Sequence, residues 1–310
     1  MIKSKSNLNQ EIQELIKQHS IKIKTELDQH FLADEAAMKT ISKALELTKE
    51  DILLEIGTGL AITTKQLAKN ANKTIVIEID DQFLPIIKEQ LADYNYQLIK
   101  KSAYKYLQDL LLEQKKPKVK EQLKIYSNLP FTAVESIFLL LPKLQFKKAV
   151  FILPESFYER IIGNIIYEAF FQIKLLDKIN KESFYPIPNA NSVLIEITPT
   201  VKSTDYADFI IKELYLQEDK KVKNALREVI IRFAEKYLQK KATKRETKEI
   251  LALIIINKEL FEKDVPKLSG AEFKLITTEL IEHLKNHYDL HNLFSRKNNH
   301  KKTNNNINQS

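Results

Sequence analysis

Seven short runs rich in β-branched and aromatic residues constrain the fold of this chain more than any other feature. They are ILLEI (52–56), TIVIEI (74–79), YQLI (96–99), LKIYS (123–127), AVFIL (149–153), FQIKLL (171–176) and VLIEIT (193–198). The first five alternate with stretches of helical periodicity, beginning after the helix-like MKTISKALEL (38–47), and such alternation predicts βαβ units in a parallel sheet. The last two are separated by the turn-rich NKESFYPIPNANS and are close enough to pair antiparallel at the sheet edge. Residues 1–25 read as a polar helix. After Pro199 the apolar period changes to three and four, and YADFIIKELYL, VKNALREVIIRFAEKYL, KEILALIIINKELF and AEFKLITTELIEHL each read as an amphipathic helix. The expected architecture is a doubly wound α/β domain over 1–200 with an N-terminal helical segment, then a small all-helical domain over 201–295. A polar tail, 296–310, has no apolar face to bury and is expected to be disordered.

Two of the chain's four glycines fall within three residues directly after the first strand, in ILLEIGTGLAITTKQLAKN. At a first β-to-α turn the backbone bends sharply and its N–H groups lie open to a ligand, so Gly57 and Gly59 predict a nucleotide or nucleoside site. Position 62 is Ile, which removes the third glycine of the dinucleotide pattern. The second strand carries Glu78 near its end, where a carboxylate can accept hydrogen bonds from both hydroxyls of a ribose. A carboxylate there binds sugar rather than phosphate. Glycine turn and distal acid together favour S-adenosylmethionine over NAD.

A second constellation, YSNLPF (126–131), follows the fourth strand. The Asn128 side-chain carbonyl can accept one hydrogen of an exocyclic amine and the Leu129 backbone carbonyl the other. Pro130 fixes the turn, and Phe131 offers a flat face for a base. Such a site reads the amino group of adenine or cytosine. Enzymes acting on DNA amino groups usually carry a second proline where Leu129 stands, which ranks that substrate lower.

Charge agrees with a polyanionic partner. The net charge is +8, with lysine-rich runs at KKPKVK (115–120), KKVK (220–223) and KKATKRETK (240–248). The absence of cysteine excludes disulfides, thiolate nucleophiles and cysteine-based zinc sites. Six histidines without metal-ligand spacing give no expectation of a metal. No apolar run approaches the roughly 18 residues of a membrane span, and no signal-type segment opens the sequence, so a cytoplasmic location is expected.

From about Leu27 to Leu284 the chain resembles the KsgA-type small-subunit rRNA adenine-N6 dimethyltransferases, with the macrolide-resistance rRNA methylases as cousins. DQHFLAD (28–34), EIGTGLA (55–61), VIEID (76–80), NLPF (128–131) and FYPIPNANSV (184–193) are similar to that family's successive motifs. KKVKNAL (220–226) and LFEKDVPKLS (260–269) resemble its archaeal and eukaryotic branch. The resemblance implies a Rossmann-like methyltransferase domain that uses S-adenosylmethionine to methylate adenine N6 twice in the small-subunit decoding region.

It further implies that His30 and Leu32 line the cofactor site, that Gly57 approaches the methionine part, that Ser102 sits beside the adenine, and that Asn128 bridges cofactor and target. Phe131 and Phe184 would contact an extruded base, while Lys220, Lys221 and Lys223 hold the phosphate backbone of pre-ribosomal small-subunit rRNA, the chain acting as a monomer. Two departures stand out. Ser102 occupies a position where the family normally has Asp, and FILPESFYERIIGNIIYEAF lacks the family's loop after the fifth strand. Both leave open a second role, an RNA-binding assembly factor with weak or lost activity.

Overall fold

The computed structural model describes residues 7–114, 122–200 and 205–288, so the basic run at 115–120 and the polar tail lie outside the described residues. Its contacts divide the chain into two units, Met1–Gly163 with Phe171–Pro199, and Asn164–Phe170 with Thr200–Ser310. The sequence reading places 164–170 in the first domain; these residues pack within the helical unit.

The first unit opens with α1 (Asn7–Gln18), the short strand β1 (Phe31–Leu32) and α2 (Glu35–Leu45). Strands and helices then alternate: β2 (Ile52–Ile56), α3 (Ile62–Ala68), β3 (Lys73–Glu78), α4 (Leu84–Gln90), β4 (Tyr96–Lys100), α5 (Ala103–Gln114), β5 (Leu123–Asn128), α6 (Val134–Leu140), β6 (Lys148–Pro154) and α7 (Glu155–Ile161). It closes with β7 (Phe171–Ile179), β8 (Phe184–Tyr185) and β9 (Ser192–Pro199). The seven-stranded sheet runs β4-β3-β2-β5-β6-β9-β7. Its first five strands are parallel, and β9 pairs antiparallel with both β6 and β7. Central strands buried on both faces read as continuous apolar runs, and Leu53, Leu54 and Val150 are fully buried. Chain order reverses between β2 and β5, which opens a crevice at the carboxyl ends of β2, β3 and β5.

Three local expectations need correction. The N-terminal helix is amphipathic rather than polar, because Leu8, Ile12 and Leu15 fall on one face and enter the core. It also stops early. Ser20 takes a left-handed conformation (φ 52°) while Ile21 N–H donates to the Ile16 carbonyl, a Schellman ending. The small β1–β8 sheet, with Leu32 opposite Phe184, was not foreseen.

In the second unit α8 (Ile165–Phe170), α9 (Tyr206–Tyr215), α10 (Val222–Phe233), α11 (Lys244–Leu253), α12 (Lys258–Glu262) and α13 (Gly270–His287) share a core that includes Leu226, Ile230, Phe233 and Ile276. The third correction falls here, where one expected helix over 248–261 is two. Ile254 is extended, and the Asn257 side chain caps α12 by accepting from Glu259 N–H. Three consecutive β-branched residues, Ile254 to Ile256, weaken the helix where it breaks. No helix among the described residues is long and apolar enough to cross a membrane.

The amino end of the sheet is fastened by a buried ion pair. Asp51, 2% exposed, accepts from Lys124 at 3.0 Å and Lys147 at 3.1 Å. The Thr48 N–H and hydroxyl each donate to it at 2.9 Å. Burial acts to raise the Asp51 carboxyl, but Lys124, Thr48 and Lys147 outweigh it and hold the group at about 2. A depressed carboxylate stabilises the fold above its unfolded value and loses that contribution as pH falls through its folded one. Asp51→Ala removes the paired charge of Lys124, which keeps the Glu46 carbonyl at 2.7 Å, so urea denaturation at neutral pH should show a loss of about 3 kcal/mol. The gap to wild type should shrink as pH falls from about 4 toward 2. An equal gap across that window would place the stabilising charge elsewhere.

Candidate active site

The crevice holds a cavity of about 290 Å³. Its floor is the turn after β2, where Gly57 (φ 72°) and Gly59 (φ 54°) are both left-handed. A Cβ on Gly59 would come within 3.0 Å of the Phe31 ring, so that position has neither the conformation nor the space for a side chain. One wall is the tip of β3. The Glu78 carboxylate, 6% exposed, takes Gly59 N–H at 2.9 Å on Oε2, with Ile79 N–H at 2.8 Å and Asp80 N–H at 2.9 Å on Oε1. A carboxylate has about four acceptor positions, so roughly one remains. The expectation that Glu78 takes both ribose hydroxyls therefore requires exchange of a backbone bond. Burial raises the Glu78 pKa, against the pull of the three N–H groups.

The opposite wall comes from the end of β5. Asn128 Nδ2 donates to the His30 carbonyl at 2.8 Å, which leaves Oδ1 as the amide atom without a donor among the described residues. Leu129 is 1% exposed, and its N–H is held by the Ile152 carbonyl at 2.9 Å. Pro130 lines the cavity and accepts from Ala133 N–H at 2.9 Å, closing the turn. The roof is the segment from Leu27 to Leu32. The His30 carbonyl holds Asn128, and its ring Nδ1 lies 2.8 Å from the Pro186 carbonyl.

The structure thus brings His30, Leu32, Gly57, Gly59, Glu78, Ser102, Asn128 and Pro130 to one cavity. Ser102 Oγ also accepts, at 3.4 Å, from Lys105 N–H in the first turn of α5. Phe131 is half-buried and is not among the lining residues. Phe184 corrects the expectation of a base contact: at 3% exposed it belongs to the core and has no free face to offer. In the helical unit Lys220 donates to Gln217 at 2.6 Å, Lys221 pairs with Glu262 at 3.0 Å, and Lys223 is exposed.

Sequence reasoning gave no role to Glu55, Thr58, Asp28 or Asp80. Glu55 Oε2 and Thr58 Oγ1 are buried without hydrogen-bond partners among the described residues, and both residues line the cavity. Burial pushes the Glu55 carboxyl up from 4.5 to about 8; the Thr64 hydroxyl opposes this and the charge of Glu78 adds to it. An acid placed within an apolar strand, as in ILLEI, is the signal that could have singled it out. Between about pH 4.5 and 8 the folded chain keeps a proton that the unfolded chain has lost, so stability falls as pH rises, by up to about 1.4 kcal/mol per unit. Glu55→Gln removes that dependence. Denaturation at about pH 5 and about pH 8 should show wild type weakening against Glu55→Gln at the higher pH; parallel behaviour would mean Glu55 is ionised throughout.

Residues 20–256 match the family model of ribosomal RNA adenine dimethylases. The ribosomal RNA small subunit methyltransferase A of Thermotoga maritima is 28% identical over 251 residues, which cover 77% of this chain and 86% of the relative. The protein of the same name from Clostridium botulinum is 30% identical over 197 residues, 59% of this chain and 70% of the relative. Two solved structures share the fold. A dimethyladenosine transferase from Plasmodium falciparum has a TM-score of 0.51 at 22% identity, covering 82% of this chain and 98% of its own. The 23S rRNA methyltransferase ErmE has a TM-score of 0.50 at 15% identity, covering 81% and 99%. With its glycine turn, its β3 carboxylate and Asn128 and Pro130 of the β5 loop around one cavity, and with the family model spanning most of its length, this chain belongs to the ribosomal RNA adenine dimethylase family.

Proposed function

We propose that this chain transfers methyl groups from S-adenosylmethionine to N6 of adenine in small-subunit rRNA, twice in succession. The observation that carries the reading is the orientation of Asn128. Its amide nitrogen is held by the His30 carbonyl, and its oxygen is left to accept at the cavity that Gly57, Gly59 and Glu78 also line.

The residues present fit the cofactor. The left-handed turn at Gly57 and Gly59 allows close approach to backbone, and Glu78 keeps an acceptor position for a ribose hydroxyl. Buried Glu55 and Thr58 offer polar atoms suited to an amino-acid end, while Leu32 and Ile79 supply apolar walls. S-adenosylmethionine supplies an activated methyl group. Adenine N6 is a weak nucleophile because its lone pair is delocalised into the ring. Carbonyl acceptors at Asn128 and Leu129 favour a pyramidal nitrogen and aim its lone pair, which removes the need for a strong base. The proton released from the amine passes to solvent. The target leaves its stack to enter the cavity, with Phe131 as the stacking face. Lys220, Lys221 and Lys223 in the helical unit act on the phosphate backbone, the sequence-independent part of recognition.

Tritium transfer from labelled S-adenosylmethionine to unmethylated small subunits tests this directly. Binding without transfer by wild type would instead favour an RNA-binding assembly factor. Asn128→Ala should lower transfer by about 100-fold or more while RNA affinity stays nearly unchanged. Reversing the charge of the three lysines should do the opposite. RNA affinity would fall, the salt dependence would flatten by about one per lost contact, and cofactor affinity would be unaffected. Full transfer by Asn128→Ala would sink the amine-reading role.

A further inference from the structure

A strap running from Lys22 to Leu32 is hydrogen-bonded to the amine-reading loop at two points. At one end of the loop Asn128 Nδ2 donates to the His30 carbonyl at 2.8 Å. At the other, Thr132 N–H donates to the Asp28 carboxylate at 2.9 Å. In both bonds the loop donates and the strap accepts, once from a loop side chain to strap backbone and once from loop backbone to a strap side chain. Between them lie Leu129, Pro130 and Phe131. The strap has its own anchor. Gln29 Nε2 and Lys24 Nζ donate to the Asp80 carboxylate at 2.8 and 3.0 Å, and Asp80 N–H donates to Glu78.

Asp28 sits in a left-handed conformation, φ 52°, closing the turn Thr25–Leu27. Asp, Asn and Gly all visit that conformation, glycine without strain, so backbone geometry gives no reason to prefer aspartate over glycine. The side chain does give one: a carboxylate accepting from a backbone N–H makes a strong, directional bond, and this one joins residues 104 apart in sequence. Asp28 and Thr132 both border the cavity.

Building on the methyl-transfer reading, we propose that Asp28 is a positioning residue that holds the Leu129–Phe131 turn in register with Asn128, so that both amine acceptors aim at one point. The role is indirect, and it predicts an effect on turnover rather than on cofactor affinity. A displacement of about 1 Å at a reacting centre lowers rates by about 100-fold.

The test compares Asp28→Gly, which keeps the backbone conformation and removes the carboxylate, with Asp28→Asn, which keeps an acceptor. Asp28→Gly should melt close to wild type and bind S-adenosylmethionine within about twofold, with kcat lowered between about 10- and 100-fold. Asp28→Asn should recover most of that loss. Without any ligand, amide hydrogen exchange should speed up at Thr132 in Asp28→Gly, while Leu129 N–H, held by Ile152, stays protected. Unchanged exchange at Thr132, unchanged kcat, or a loss confined to cofactor affinity would each overturn the positioning role. An inactive wild type would overturn the proposed function and this role with it, whereas an active wild type with an unaffected Asp28→Gly overturns the role alone.

Discussion

The carboxylate of Glu78 is the junction on which the crevice depends. By taking N–H groups from Gly59, Ile79 and Asp80, it fixes the turn after β2 against the turn after β3. A buried charge is costly unless its lone pairs are filled, and backbone donors fill these without a counter-charge that would compete for a ligand. Asp80 then passes the constraint to the N-terminal strap through Lys24 and Gln29. The cavity's floor, wall and roof are thereby tied by hydrogen bonds whose partners are far apart in sequence.

How much of this could be read in advance depended on whether a feature was local. All seven main strands were legible, because β-branched runs bounded by polar residues announce buried strands without knowledge of the partner. Gly57 and Gly59 were legible for the same reason, since a positive φ is a property of the residue itself. The break at Ile254 was missed because apolar spacing continues across it, and only the Asn257 cap shows that the helix restarts. Phe184 was misplaced because an aromatic beside a turn looks the same whether it faces a ligand or the core. The bonds from Asp28 to Thr132 and from Asn128 to His30 join residues 104 and 98 apart, and no short-range pattern marks either.

The ends of the sheet solve the buried-charge problem differently. At the amino end Asp51 is matched by lysines and two Thr48 donors, and its carboxyl is held near 2. At the carboxyl end Glu55 has no cation within its shell and keeps its proton until about pH 8. Burial acts to raise both, and the partners decide the outcome. The first arrangement serves stability. The second leaves a polar group beside the cavity in a state that a ligand can alter.

That contrast extends to other polar atoms of the crevice. The satisfied ones, Glu78 through three N–H groups, Asp80 through strap donors and Asn128 Nδ2 through His30, set positions and lock rotamers. Others, Glu55 Oε2, Thr58 Oγ1 and Asn128 Oδ1, have no partner among the described residues and border the same cavity. Leaving a buried polar atom such as Glu55 Oε2 or Thr58 Oγ1 unfilled costs about 1–3 kcal/mol. Their residues all line the space that Gly57 and Gly59 keep free of side chains. The satisfied bonds define the shape of the site, and the unsatisfied atoms define the chemistry it can recognise.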